Sequence, residues 1–311
     1  MGTIVVGLDT LDDCRAAVEW AADAADRSEA DLEIVRGVRF PPAVDTWNAG
    51  YVPEVLEQLD QVCWDELARA RDLVRHRVHG NVRTTLVHDH ARPALLAAAT
   101  RADLLVTGAR HRNRLRCSVF GGFQLGSTSL FAAAHALCPV VVVRGAATRG
   151  ARDLVVGFDG SPSSTAAACW ALAQAAVTGA RVHVVLVRRA VADLTLGLDP
   201  TAAVASRGDD EAAAHARLED VVQRLQRSDP RVEVDGTVVR HDHPEDVLLE
   251  AAGTCALLVV GSRGHAAFTS ALIGSTSHAV LHHALTPVVV VPDAAQVAHR
   301  RRAVQATLAR R

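Results

Sequence analysis

Short, nearly continuous apolar runs alternate with longer segments of helical period along this chain, most clearly in its second half. Leu154–Phe158 is an apolar run that ends at Asp159. An alanine-rich segment follows, which Ser161 or Ser163 can cap and Gly179 stops. Val182–Val187 is the next apolar run, and a polar loop containing Gly and Pro leads on to a segment around Asp210–Arg227. There Leu218, Val221, Val222 and Leu225 recur at helical spacing. Val232–Val239 predicts a third strand, Pro244–Ala252 a helix, Ala256–Val260 a fourth strand, Ser275–His283 a helix and Val288–Val291 a fifth strand. Valine and leucine runs without polar alternation suit strands covered on both faces. Strands that alternate with helices predict a parallel sheet in an α/β architecture.

The first half repeats this plan. Ile4–Asp9 matches Leu154–Asp159 at an offset of 150, and the same offset pairs Trp20 with Trp170. His88-Asp89-His90 matches His241-Asp242-His243, and Asp103–Gly108 matches Ala256–Gly261, both at 153. Leu137–Val143 matches Leu285–Val291 at 148. Ordered matches with small drifts mark a duplicated domain. The first domain is read as 1–145, a linker as 146–152, the second domain as 153–293, and a basic tail that forms a helix or frays as 294–311. Val140–Val143 and Val288–Val291 are candidate edge strands, and pairing them within one chain would cover both edges in an intramolecular pseudo-dimer. The sequence leaves open whether whole chains pair further into a homodimer.

Composition narrows the chemistry. Of 311 residues, 49% are hydrophobic and 22% charged, as in soluble globular proteins. Aromatics are only 4%, so the cores are aliphatic. The formal net charge of −2 argues against nucleic acid or an anionic membrane as partner. All 33 Lys+Arg residues are arginine, which excludes a Walker-A lysine, a Schiff-base lysine and a lysine general base. The six cysteines are scattered without a C-x-x-C pair, which fits reduced thiols and a cytoplasmic location. The first apolar run is too short for a signal segment, and no stretch has the length of a membrane span.

Ligands of open parallel sheets bind beyond the carboxyl ends of the strands. After its fourth strand the second copy reads Gly261-Ser262-Arg263-Gly264, nine residues, then Gly274-Ser275-Thr276-Ser277. Gly261 and Gly264 allow a ligand to approach the backbone closely. Gly274 and Ser275 open a helix whose first amides carry positive partial charge, a phosphate site that needs no lysine. Ser275, Thr276 and Ser277 offer hydroxyl donors. Asp159 can accept hydrogen bonds from a base or sugar, or hold a metal near the phosphates, and Val187 supplies an apolar wall for a flat base.

Gly261 to Ser275 matches the G-2x-G-9x-G-[ST] signature of ATP-binding universal stress proteins, which this chain resembles over nearly its whole length, once per copy. Asp159-Gly160-Ser161 resembles that family's first strand end, and Pro287 with four valines resembles its last strand. The resemblance implies two tandem open five-stranded parallel sheets with helices on both faces, of the Rossmann-like, adenine-nucleotide alpha-hydrolase-like fold class. It implies ATP or another adenine nucleotide with Mg2+. Asp159 and Val187 would flank the adenine, Gly160 would be a further nucleotide-binding residue, and Gly261, Arg263, Gly264, Gly274, Ser275, Thr276 and Ser277 would surround the ribose and phosphates.

The first copy departs from the signature. His111 stands at the second glycine position, and Gly108 to Gly126 spans 18 residues against 13 from Gly261 to Gly274. Thr10 follows Asp9, Gly37 stands where the second copy has Val187, and Arg110, Arg112, Arg114 and Arg116 load the altered loop. ATP binding in the family manner is therefore expected in the second copy alone. The paired His-Asp-His turns read as strand-to-helix turns capped by aspartate, since further metal ligands are not evident. Trp20 and Trp170 read as core anchors and the basic tail as a solvated face. The expected function is a nucleotide-responsive stress or regulatory protein with an unidentified protein partner. The alternatives are a slow magnesium-dependent ATPase or phosphoryl- or adenylyl-transfer enzyme, and a scaffold with an empty pocket.

Overall fold

The computed structural model describes residues 2–39, 52–109, 126–144, 151–188, 200–264 and 273–308. The altered loop with His111 and its four arginines lies outside them. The chain divides into two compact units, one of Met1–Gly145 with Ala294–Arg311 and one of Ala146–Asp293.

The first unit runs β1 (Thr3–Gly7), α1 (Leu11–Arg27), β2 (Asp31–Gly37), α2 (Val52–Val74), β3 (Val82–Val87), α3 (Ala91–Ala99), β4 (Leu104–Gly108), α4 (Ser127–His135) and β5 (Val140–Val143). Its five strands are parallel in the order β3-β2-β1-β4-β5. The second unit runs β6 (Leu154–Phe158), α5 (Pro162–Thr178), β7 (Val182–Arg188), α6 (Pro200–Ser228), β8 (Val234–Arg240), α7 (Pro244–Ala252), β9 (Leu257–Gly261), α8 (Ser275–His283) and β10 (Val288–Val291). Its order is β8-β7-β6-β9-β10, again parallel. Each unit is thus a doubly wound α/β sheet. The chain winds outward one way through β6, β7 and β8, then returns to the other side of β6 with β9. The switch point between β6 and β9 leaves a crevice at their carboxyl ends.

Local signals explain the elements. Ser161 caps α5, its Oγ accepting from Ser164 N–H at 3.2 Å, and Gly179 ends the helix at φ +67°. Leu218, Val221 and Leu225 are buried along α6, as their spacing requires. That helix begins ten residues earlier than the periodicity indicates, at Pro200, a residue suited to a first helical turn. The strand cores are aliphatic: Leu32, Ile34, Leu105, Leu258 and Val259 have no more than trace exposure. The aspartates of the two His-Asp-His turns do not cap. His90 and His243 take the N-cap positions without side-chain capping bonds, and the His241 ring accepts from His243 N–H at 3.1 Å. Cys14, Cys63, Cys138 and Cys255 are buried free thiols, and burial pushes Cys138 up to about 12 and Cys255 to about 11. Among the described residues no helix is long and apolar enough to cross a membrane.

The C-terminal segment forms α9 (Ala294–Leu308), and it belongs to the first unit. Arg300 is not part of a solvated face. It is 8% exposed and donates from Nη1 to the carbonyl of Ala136 at 2.6 Å. Ala136 is the C-cap of α4, so the guanidinium stands at the negative end of that helix. Arg300→Ala is expected to lower unfolding free energy by about 1–3 kcal/mol, the cost of stripping a buried carbonyl of its charged donor. The midpoint of a urea titration followed by circular dichroism would register it.

Candidate functional site

A cavity of about 320 Å³ opens at the switch point of the second unit. Nine of the ten residues expected from sequence line it: Asp159, Val187, Gly261, Arg263, Gly264, Gly274, Ser275, Thr276 and Ser277. The tenth, Gly160, does not line it. Its φ of +84° turns the chain from β6 into α5, a conformation that disfavours a side chain.

The polar frame is tied together around Ser161. Its N–H donates to Asp159 Oδ1 at 2.9 Å, and its hydroxyl reaches the Arg263 carbonyl at 3.3 Å. Asp159 is thereby held at the β6 end facing the β9 loop. A Cβ built on Gly264 would stand 2.6 Å from Asp159 Oδ2, so this glycine leaves room for the carboxylate. A Cβ on Gly261 would stand 2.6 Å from the Ser163 carbonyl carbon. The close approaches at both glycines are therefore to protein atoms, where the sequence pointed to a ligand. Gly274 differs: its nearest neighbour would be Arg263 Cα at 3.5 Å, an ordinary contact.

The loop ends are strapped by Gly274 N–H donating to Ser262 O at 2.8 Å. Gly274 is the N-cap of α8 and has no side chain to cap it, so the amides of the first turn face the cavity without a capping oxygen. This is the arrangement that draws an anion to a helix start. The Ser277 hydroxyl, expected to serve a ligand, donates instead to the Gly261 carbonyl at 2.6 Å. A hydroxyl has one proton, so Ser277 braces α8 against β9. Ser129 makes the same brace to the Gly108 carbonyl in the first unit, at 2.9 Å. Ser275 and Thr276 remain as hydroxyl donors. Arg263 Nε is buried with no hydrogen-bond partner among the described residues. Arg263 and Asp159 are the only ionisable side chains among the described lining residues.

The opposite wall is apolar. Gly157 and Val185 line it, two residues before Asp159 and Val187 on the same strand faces, together with Phe158, Val260, Pro244 and Leu248, the last two a turn apart on α7. Alternation along a strand was the available signal for Gly157 and Val185; nothing local marked Ser164, Pro244 or Leu248. His241 N–H donates to the Arg188 carbonyl at 2.9 Å, on the β8 side. The Val187 carbonyl, one residue earlier, therefore faces the other way, just past the last β6–β7 pair of Phe158 and Leu186. It presents an acceptor above an apolar floor. Trp170 is half-buried on α5 and does not line the cavity.

The first unit is built differently at the matching place. A Cβ on Gly37 would stand 2.7 Å from Ala91 Cα and 2.9 Å from Ala94 Cβ, so α3 sits directly on the strand end. In the second unit the corresponding Val187 and Pro244 both border open space. Cys14 replaces Ser164, and α1 receives the Glu66 carboxylate on Leu11 N–H at 2.6 Å.

These features define a tandem, doubly wound parallel α/β protein whose second unit carries a cavity at its switch point, bordered by the start of α8. The universal stress protein family model matches residues 1–144 and 150–292. A universal stress protein of Mycolicibacterium smegmatis is 33% identical over 296 residues, covering 93% of this chain and 96% of that protein. One from Mycobacterium tuberculosis is 29% identical over 309 residues, covering 93% and 96%. The crystal structure of a universal stress protein from Archaeoglobus fulgidus matches with TM-score 0.64 at 14% identity, covering 94% of this chain and 96% of that one, a likeness of fold. The chain belongs to the universal stress protein family.

Proposed function

We propose that the second unit binds one adenine nucleotide and that the protein acts as a nucleotide-responsive stress or regulatory binding protein. The observation that carries this reading is convergence. Residues from the ends of β6, β7 and β9 and from the start of α8 meet at one cavity, with an apolar slot on one side and an uncapped helix N-terminus on the other. A flat base suits the slot between Val187 and Leu248, where the Val187 carbonyl can accept from an exocyclic amine. Phosphate suits the α8 amides, the Ser275 and Thr276 hydroxyls and the Arg263 guanidinium. Asp159 and the two hydroxyls are hard oxygen donors, which fit Mg2+ accompanying ATP. The first unit, with α3 seated on Gly37, is read as a non-ATP partner domain.

Isothermal titration of ATP and AMP, with magnesium, into the full chain and a Gly264→Arg variant tests the proposal. Arginine there would displace the Asp159 carboxylate and fill the cavity mouth. The expected result is one site per chain, weakened at least about 30-fold in the variant, roughly 2 kcal/mol. Absence of heat from either nucleotide with the wild type would overturn the reading.

A further inference from the structure

A second chemistry lies on α8, outside the cavity. His278 and His282 stand four residues apart on that helix, and neither lines the cavity. Their ring centroids are 4.4 Å apart, with the planes inclined by 40°. Residues at this spacing share one face of a helix. The other side of the helix fixes the pair: Val280 and Leu281 are fully buried, and the Ser277 hydroxyl braces α8 to the Gly261 carbonyl. His278 is exposed and His282 half-buried, so both rings can be reached from solvent. The first unit lacks the pair. Counting from the matching helix starts Ser127 and Ser275, it carries Leu130 and Ala134 at these positions.

We infer that His278 and His282 form a chelate for one divalent transition-metal ion of the zinc or copper class. Imidazole nitrogen bonds such ions at about 2.0–2.1 Å. Two rings bound side by side at about 90° then have centroids about 4.5 Å apart. The observed 4.4 Å is already close to that spacing, so little rearrangement opposes chelation. Each ring has two nitrogens, so one can bind the ion while the other keeps a hydrogen-bond partner, as is usual for metal-ligating histidine. His282 lies in the last turn of α8, the negative end of the helix, which favours a cation. Among the described residues no group of three or more His, Cys, Asp or Glu gathers for a metal. One chain therefore supplies two ligands and leaves the other positions to water. His283 follows His282 with ring centroids 6.3 Å apart, and it points about 100° further around the helix, away from the pair. Magnesium is disfavoured, because a hard cation prefers oxygen donors. The site is thus distinct from any magnesium that a nucleotide brings, and the inference stands whatever the cavity binds.

Zinc titrated into the full chain, free of any histidine tag and in competition with a chromophoric chelator, tests the site. One site per chain is expected, weakened at least about tenfold in His278→Leu and in His282→Ala, because each variant leaves a single imidazole. These substitutions install the residues of the first unit, and thermal unfolding without metal checks that each variant folds. His283→Ala should stay within about twofold of wild type, and magnesium in large excess should not displace the zinc. Electron paramagnetic resonance of the chain loaded with one equivalent of copper should show coupling to two imidazole nitrogens, reduced to one in either variant. The inference is overturned by absence of a zinc site in wild type, by unchanged affinity in either variant, by an equal loss in His283→Ala, or by displacement with magnesium.

Discussion

Gly261→Ala is expected to destabilise the second unit by about 1–3 kcal/mol, while the matching Gly108→Ala stays within about 0.5 kcal/mol of wild type. At Gly261 the added methyl would stand 2.6 Å from the Ser163 carbonyl carbon, 2.7 Å from Ser163 Cβ and 2.8 Å from Ser164 N. Two of these are backbone atoms of α5, which cannot swing aside as a side-chain tip would. Ser163 is itself anchored, donating to Asp293 Oδ2 at 2.8 Å. At Gly108 the nearest atoms would be Ala17 Cβ at 3.6 Å and Asp13 O at 3.7 Å, ordinary contacts. Urea unfolding of both variants gives the comparison, and equal losses would show that helix packing does not explain the Gly261 position. Because Gly261 also borders the cavity, its alanine variant should lose ligand affinity together with stability.

The second large effect lies in the first unit. Gly37→Val installs the residue that the second unit carries at Val187, and it is expected to cost at least about 1–3 kcal/mol without creating a second nucleotide site. The new Cβ would meet Ala91 Cα at 2.7 Å, Ala94 Cβ at 2.9 Å and Ala91 N at 3.0 Å, before the two further methyls of valine are placed. Helix α3 would have to lift from the sheet. A fall in the unfolding midpoint with titration stoichiometry still at one per chain is the expected pair of results. A stable variant that binds two nucleotides would mean that the first unit differs from the second by this residue alone.

Much of the molecule was legible in the sequence. Valine and leucine runs located the strands of the second unit, most plainly the central ones, because strands covered on both faces leave no polar alternation to obscure them; β8 is largely exposed and was read from Val232–Val239. The duplication located the second set of elements from the first. The spacing Gly261–Gly264–Gly274 and the Asp159 strand end pointed to a single crevice, and nine of the ten site residues expected from sequence line it. Connectivity alone does this: in a doubly wound sheet, segments after β6, β7 and β9 must emerge at the same edge.

Other features depended on which atoms of distant elements meet, and no local pattern encodes that. Gly261 and Gly264 read as places for a ligand to approach; that they also make room for α5 and for the Asp159 carboxylate was not legible. The Ser277 hydroxyl read as a ligand donor, yet Gly261 O lies within its reach and takes its proton. Pro244 and Leu248 belong to a helix that only the fold lays over Val187. Arg300, in a run of three arginines, looked solvated until α9 brought it to the end of α4. Periodicity and spacing determined the order of elements and the edge of the sheet where chemistry gathers, since both follow from backbone geometry and apolar burial. The tertiary structure alone decided which glycine is steric, which hydroxyl is spent and which arginine is buried, because those outcomes turn on ångström-scale contacts between segments far apart in the chain.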